Sequence, residues 1–325
     1  MKFEKVRWGI IGCGDVTEVK SGPAFQKAEK SELVAVMRRT GELAKDYAER
    51  HHVPKWYDDA DALINDSEVD AVYIATPPGS HKEYTQKVAA AGKPVYVEKP
   101  MARSWEECKE MVAACEKAGV PLYVAYYRRA QPRFLKIKEL LDEQRIGDVR
   151  FVSSTQYQKA RENVQDSQSL PWRVQPQFAG GGLFFDLASH TLDILDYLLG
   201  PIKEAKGIAS NQAGLYEAED IVTGTYRFDS GVHGVGKWCF TAFEDVDLNE
   251  IVGSKGKITF STFGDDPVVL TTADGRQEWN FERPQHVQQP LIETMVADLT
   301  GNGHCYSTGV SGARTNWVMD EIVNK

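Results

Sequence analysis

Five short runs in the N-terminal part of the chain are apolar without the alternation of a half-solvated strand: Val6 to Ile11, Leu33 to Met37, Ala71 to Ala75, Pro94 to Val97 and Pro121 to Ala125. Runs of that length without alternation must be buried on both faces. Amphipathic helical stretches separate them. Thr40 can cap a helix over Gly41 to Arg50, Asp58 opens a short one through Ile64, and Ser80 with Glu83 has the capping-box spacing for a helix to Ala91. Such a pattern predicts an α/β fold whose first domain is a doubly wound open parallel sheet covered by helices on both faces.

The first run, with Gly9 inside it, ends in Gly12-Cys13-Gly14-Asp15-Val16. Glycines there tolerate unusual backbone angles and leave no Cβ in the way of a phosphate, so Gly9 through Val16 is the candidate cofactor cradle. An ordinary tight turn is the alternative, because Thr17 stands where a third glycine or alanine is expected. Beyond it one helical turn, Asp15 to Lys20, is expected to break at Ser21-Gly22-Pro23 before a second piece, Ala24 to Glu29. The second run ends in Arg38 and Arg39 where an acidic residue would bind ribose hydroxyls. Guanidinium groups suit a dianionic phosphate, which favours NADP(H) over NAD(H); two solvated loop arginines are the alternative. Glu98-Lys99-Pro100 closes the fourth run, on the side of an open sheet where ligands bind. By position alone a lysine at a strand end reads first as a surface charge.

After a helix at Arg133 to Glu143 the periodicity changes. Alternating runs at 151–157, 202–210, 221–228, 232–240, 249–252 and 257–260, with turns at Asp229-Ser230-Gly231 and Ala273-Asp274-Gly275, predict an α+β domain with a large, mostly antiparallel open sheet. Helices are expected over 183–199, 287–299 and 308–323. Gly180-Gly181-Gly182 precedes the first of these, whose Asp186, His190 and Asp193 fall on one helical face. A neutral histidine there can take the proton of an alcohol as hydride leaves. A metal could sit on such a face, yet no second His/Asp cluster completes a coordination shell, and no metal is expected. A plain polar helix surface is the remaining alternative.

Net charge is −9, with 42% hydrophobic and 26% charged residues, so the chain has no basic field for nucleic acid. Cys13, Cys108, Cys115, Cys239 and Cys305 are scattered with no C-x-x-C pair, as for idle thiols in a reducing compartment. No apolar run approaches the ~20 residues that span a bilayer, and the first strand begins too early for a secretion signal. A cytoplasmic protein without a membrane partner is expected.

Together these segments resemble the family of glucose-fructose oxidoreductase, inositol dehydrogenase and the rhizopine-catabolism oxidoreductases (Gfo/Idh/MocA). The resemblance rests on GIIGCG at the first turn, ATPPGSH at 75–81, EKP at 98–100, YRR at 127–129, PWR at 171–173 and GGGLFFDLASHTLD at 180–193. It implies a dinucleotide-binding domain over 1–125 and a substrate-binding and oligomerisation domain over 126–325, acting on a sugar or polyol as a homodimer or homotetramer. It further implies that Lys99 contacts the reacting oxygen, that His190 is the acid/base and that Asp186 orients substrate or histidine, Lys99 and His190 converging over the nicotinamide. Thr76, Pro77, Pro78, His81, Glu98 and Tyr127 match positions lining the nicotinamide end. Trp172 and Arg173 match a pair near cofactor or substrate. The substrate pocket is expected along Tyr126 to Arg129 and the loop Lys159 to Gln177, where Arg128, Arg129, Arg161 and Arg173 leave room for an anion. A cofactor-binding regulator without catalysis, and a glycosidase that uses bound nicotinamide, are the competing functions on this fold.

Overall fold

The computed structural model of the chain describes residues 2–164 and 169–324. Its first sheet is built from β1 (Val6–Ile11), β2 (Ser31–Met37), β3 (Lys55–Tyr57), β4 (Ala71–Ile74), β5 (Val95–Val97) and β6 (Leu122–Val124). The order is β3-β2-β1-β4-β5-β6 with every pair parallel, so the direction of strand succession reverses between β1 and β4. The connecting helices are α1 (Gly22–Lys27), α2 (Gly41–Arg50), α3 (Ala60–Asn65), α4 (His81–Ala90) and α5 (Trp105–Ala118). Every residue of β4, β5 and β6 is buried, as expected for strands apolar on both faces.

The second sheet follows α6 (Pro132–Asp142), β7 (Val149–Tyr157), α7 (Pro176–Ala179) and α8 (Ser189–Leu199). Its other strands are β8 (Ile202–Ser210), β9 (Ile221–Phe228), β10 (His233–Cys239), β11 (Val246–Gly253), β12 (Gly256–Phe260), β13 (Val268–Thr272) and β14 (Gly275–Trp279). They run in the order β14-β13-β12-β11-β7-β10-β9-β8, antiparallel except for β7 beside β10. In β9 and β10 buried and exposed residues alternate strictly through the centre, so one face of this sheet carries core side chains and the other is open. The chain ends with α9 (Gln289–Leu299) and α10 (Gly309–Val323).

Two compact units result. One holds the described residues through Ala102, Glu106–Ala130 and Pro284–Ala313; the other holds Arg103–Trp105, Gln131–Arg283 and the chain from Arg314 onward. The division therefore differs from a single cut after residue 125. Leu291, Ile292, Met295 and Val296 of α9 join Trp8, Phe25, Tyr73 and Tyr96 in the core of the first unit. An amphipathic helix does not reveal in its own sequence which core it will enter.

Several local expectations are corrected. Ser21-Gly22-Pro23 does not interrupt the helix after the glycine turn; the chain passes through a π-helical segment, Thr17–Ser21, directly into α1. Pro23 has no N–H to give the Val19 carbonyl. Widening the turn puts the Gly22 amide on the Thr17 carbonyl, while Val19 O meets His286 Nδ1 at 2.5 Å and Lys20 O accepts the Gln288 amide. The short helix α3 is capped by Asp59, whose Oδ1 accepts the Ala62 amide, not by Asp58, because 55–57 forms the edge strand β3. The Ser80 and Glu83 capping box does not form. A 3₁₀ turn, Pro78–Ser80, runs straight into α4, and the Ser80 hydroxyl donates to Thr76 Oγ1 and the Pro77 carbonyl. The Ala273-Asp274-Gly275 turn joins two further strands, β13 and β14.

The π-helical segment is tied to α2 in two places. Tyr47 Oη donates to the Thr17 carbonyl at 2.8 Å, and Arg50 pairs with Glu18 at 2.8 Å. Gly22 makes the first contact possible: a Cβ there would lie 2.1 Å from Tyr47 Oη and 2.3 Å from Thr17 O. Gly22→Ala should therefore lower the unfolding free energy by about 1–3 kcal/mol in urea titration. The Arg50 guanidinium, with His51 beside it, holds the Glu18 carboxyl at about 2 against an ordinary 4.5. A carboxyl depressed in the folded state stabilises above its unfolded value and loses that contribution as pH falls. Glu18→Gln should cost no more than ~1 kcal/mol at pH 7, the pair being partly exposed. The gap to wild type should close between pH 4.5 and about 2.

Candidate active site

At the end of β1 the chain turns at Gly12, whose φ of +90° is costly for any residue with a Cβ. The amides of Gly12 and Cys13 both donate to the Met37 carbonyl at the end of β2. On the other side a Cβ at Gly12 would lie 2.8 Å from Thr76 Cγ2, just beyond β4. The turn is thus wedged between β2 and β4 where the strand succession reverses, the position at which open α/β sheets bind ligands. Above Gly14 the space is open: a Cβ there would meet only Gly12 O, at 3.9 Å. Thr17 answers for the missing third glycine: its amide and hydroxyl both bond the Gly14 carbonyl and start the helix. A helix N-terminus reached through an uncrowded glycine suits a pyrophosphate. Asp15 is exposed and Val16 half-buried at that helix start. Gly9 and Cys13 face inward. A Cβ on Gly9 would meet Leu63 at 2.7 Å, so its space is used by α3, and burial pushes the Cys13 thiol up to about 11.

Arg38 and Arg39 follow β2 and are exposed. Among the described residues neither guanidinium makes an ion pair or hydrogen bond; the Arg38 amide alone is engaged, with Tyr57 O.

At the end of β5 the Glu98 side chain turns into the core. Its Oε1 accepts Tyr73 Oη at 2.5 Å and Gln288 Nε2 at 2.6 Å, and Oε2 accepts the Lys99 amide at 3.1 Å. Gln288 Oε1 accepts Tyr96 Oη at 2.6 Å. Burial and the neighbouring Glu98 charge raise the Tyr73 phenol well above its ordinary value, so it stays a donor. Lys99 is half-buried and precedes a cis peptide bond to Pro100. His81 is fully buried between the carbonyls of Thr76, 2.7 Å from Nε2, and Met101, 3.1 Å from Nδ1. Burial lowers its affinity for a second proton, and a neutral ring has one N–H to give. In that form it donates to the Thr76 carbonyl or to the Met101 carbonyl, one at a time. Tyr127 is half-buried with the Arg128 guanidinium 5.0 Å from its ring centre; Arg129, also buried, donates to Tyr306 O. Gln288 and His286, which hold Glu98 and the π-helical segment, are absent from any motif in the sequence. Only their position just ahead of α9 brings them here.

In the second unit Gly180, Gly181 and Gly182 let protein groups approach, not a ligand. Cβ atoms there would lie 2.4 Å from Arg103 O, 2.2 Å from the Phe185 ring and 2.8 Å from Ala218 Cβ. A second π-helical segment, Phe184–Ala188, precedes α8. Asp186 lies 3.5 Å from the Arg173 guanidinium, which is itself stacked over Trp172. His190 packs edge-on against Phe263 with ring centres 5.6 Å apart. Phe263 is held by Asp247, whose carboxylate accepts the amides of Thr262, Phe263 and Gly264. Asp193 accepts Thr315 Oγ1 at 3.4 Å. In the loop from Lys159 to Gln177, Arg161 is exposed and donates to Gln158; residues 165–168 lie outside the described residues. Among the described residues no group of His, Cys, Asp or Glu could hold a metal ion, and no helix is long and apolar enough to cross a membrane.

Residues 6–126 match the family model described as oxidoreductase family, NAD-binding Rossmann fold, and residues 134–259 match that of the GFO/IDH/MocA C-terminal domain. The chain is 41% identical over 318 residues to oxidoreductase P35 of Formosa agariphila, covering 97% of this chain and 98% of that one. It is 29% identical to 1,5-anhydro-D-fructose reductase of Ensifer adhaerens, covering 94% and 92%. Among solved structures, levoglucosan dehydrogenase in complex with NADH and L-sorbose superposes with a TM-score of 0.88 at 24% identity, over 98% and 96% of the two chains. A turn at the switch point, a lysine at the end of β5 and these matches lead to one conclusion: the chain belongs to the Gfo/Idh/MocA family of nicotinamide-dependent oxidoreductases, dehydrogenases that act on CH–OH groups.

Proposed function

We propose that the chain oxidises, or in reverse reduces, one carbinol carbon of a sugar, polyol or related cyclic alcohol, with NADP(H) preferred to NAD(H). The cofactor preference is carried by one observation, the exposed guanidinium groups of Arg38 and Arg39 directly after β2, unengaged among the described residues. A ribose 2′-phosphate reaching that strand end gains charge-assisted bonds from both, whereas a bare diol leaves two cations to the solvent.

A bound nicotinamide supplies or accepts the hydride. Around it this reading gives the chain's own residues the charge and the proton to handle. Lys99 stabilises negative charge growing on the reacting oxygen, on a backbone held by the Glu98 carboxylate. His190 takes the hydroxyl proton or returns it, and Asp186 orients substrate or histidine. Thr76, Pro77, Pro78, His81 and Tyr127 serve the nicotinamide end, with Trp172 and Arg173 near cofactor or substrate.

The open face of the second sheet is the proposed seat of a further copy of the chain. Leu248, Thr155, Lys237, Thr223 and Ile208 form one cross-strand row, and Val235 lies on the next. Ile208 is 74% exposed, Leu248 48% and Val235 47%, large apolar side chains spread across this face that a second copy would cover.

Fluorescence titration should show NADPH binding at least about tenfold tighter than NADH, with Arg38→Asp reversing the order. Tighter NADH binding by the wild type would refute the assignment of Arg38 and Arg39. In assays over a sugar and polyol panel, Lys99→Met should lower kcat by ~100-fold or more while the NADPH Kd stays within about twofold. Equal losses in both would remove Lys99 from its role. Light scattering should give the mass of a dimer or tetramer, and Val235→Asp should shift it toward the monomer; a monomeric wild type counts against the interface.

A further inference from the structure

Gln288, just ahead of α9, is buried in the first unit and bonds three separate parts of it. Its Nε2 donates to Glu98 Oε1 at 2.6 Å, its Oε1 accepts Tyr96 Oη at 2.6 Å, and its main-chain amide donates to Lys20 O in the π-helical segment that follows the glycine turn. The orientation of the side chain is forced. A flipped amide would set its oxygen against the Glu98 carboxylate, acceptor against acceptor, at a distance that only a donor can occupy. Glu98 Oε1 therefore receives two donors, Gln288 Nε2 and Tyr73 Oη at 2.5 Å, while Oε2 accepts the Lys99 amide at 3.1 Å. With Tyr73 as the one donor to Oε1, the carboxylate can turn about that bond. The contact to the Lys99 amide, the longest of the three, is then the first to give.

We propose that Gln288 is a positioning residue for the reaction: its side-chain amide holds the Glu98 carboxylate where Oε2 fixes the Lys99 backbone, and its main-chain amide ties the same segment to the cofactor cradle. One residue thereby sets where the lysine stands relative to the glycine turn. The two ties are separable, because a substitution at Gln288 removes the bond to Glu98 and leaves the main-chain bond to Lys20 in place. A change there should disturb Lys99 and spare cofactor binding. Charge stabilisation on a reacting oxygen depends steeply on where the cation sits, so a small displacement is felt in the transition state. The inference rests on the reading of Lys99 as the group that meets the reacting oxygen.

Gln288→Glu keeps the size and removes the donor. Its carboxylate and that of Glu98 can meet only by sharing a proton, so the bond returns as pH falls and is lost as pH rises. The first readout needs no turnover. In ¹⁵N-lysine-labelled protein the Lys99 amide, assigned by its loss in Lys99→Met, should exchange with solvent at least about tenfold faster in Gln288→Glu than in wild type near pH 8, the ratio narrowing toward about pH 5.5. The second is steady-state kinetics with levoglucosan, D-xylose and scyllo-inositol. Near pH 8 kcat should fall about tenfold or more while KM and the NADPH Kd stay within about twofold, and the loss should shrink at lower pH. In the Lys99→Met background it should disappear. Gln288→Met, which brings no like charge, should give the same losses without the pH dependence. Val296→Ala opens a cavity in the same core and should lower the urea midpoint while kcat stays within about twofold. Exchange or kcat of both Gln288 variants within twofold of wild type at every pH overturns the proposal. So does a kcat loss that persists in full beside Lys99→Met, or one that Val296→Ala matches, the marks of a role in the fold alone. If no compound turns over, or Lys99→Met leaves kcat unchanged, the reading of Lys99 fails and takes the inference with it; a loss in Lys99→Met without one at Gln288 strikes the inference alone.

Discussion

A carboxylate buried at the end of a parallel strand sets the terms for the unit around it. Placing Glu98 where it is 7% exposed costs hydration that only close donors can return. They come from three places: Tyr73 on β4, Gln288 ahead of α9, and the amide of Lys99 itself. Because each donor belongs to a different segment, the charge is tolerated only when β4, β5 and the returning segment are all in place. The residue next in the chain is the lysine that the proposed chemistry needs. Hiding an anion and presenting a cation are thus solved by neighbouring residues on one strand end, with the Lys99 amide as the link.

The second unit follows a similar logic with different parts. Asp247 commits its carboxylate to three successive amides, which shapes the loop that carries Phe263 to His190. Gln156, one strand away in register with Asp247, is the contrasting case: a buried polar side chain without a hydrogen-bond partner among the described residues. In both units the helix that carries or faces the candidate chemistry begins with a π-helical segment, Thr17–Ser21 after the first glycines and Phe184–Ala188 after the second. Such widened turns release carbonyls from the helical ladder, and in the first unit the released groups are what His286 and the Gln288 amide bind.

How much of this is legible in the sequence depends on the range of the interaction responsible. The runs apolar on both faces point to the parallel sheet, since no other arrangement buries them, and the alternation after residue 150 points to the half-open antiparallel one. Gly12 is legible because a strand end entering a helix through glycines has few uses. The Gly180 to Gly182 triplet reads in sequence as room for another group near the helix face, and the room is taken by Arg103, Phe185 and Ala218. A glycine announces close approach without saying what approaches. The expected helix break at Pro23 and capping box at Ser80 fail for a related reason: proline and serine are judged in sequence by their neighbours in the chain, whereas His286 and Thr76 complete their surroundings.

By itself, then, the sequence determined the two kinds of sheet, the turn at the switch point, the arginines after β2 and the lysine after β5, all of which follow from periodicity and from residues adjacent in the chain. Tertiary structure alone decided that α9 belongs with the first core, that Gln288 fastens Glu98 from 190 residues away, and that Gln156 has no partner for its two polar side-chain atoms among the described residues. The physical reason is that hydrogen bonding of a buried group depends on which distant segment arrives beside it. Local pattern specifies that a group will be buried, and only the packed chain specifies what it will find there.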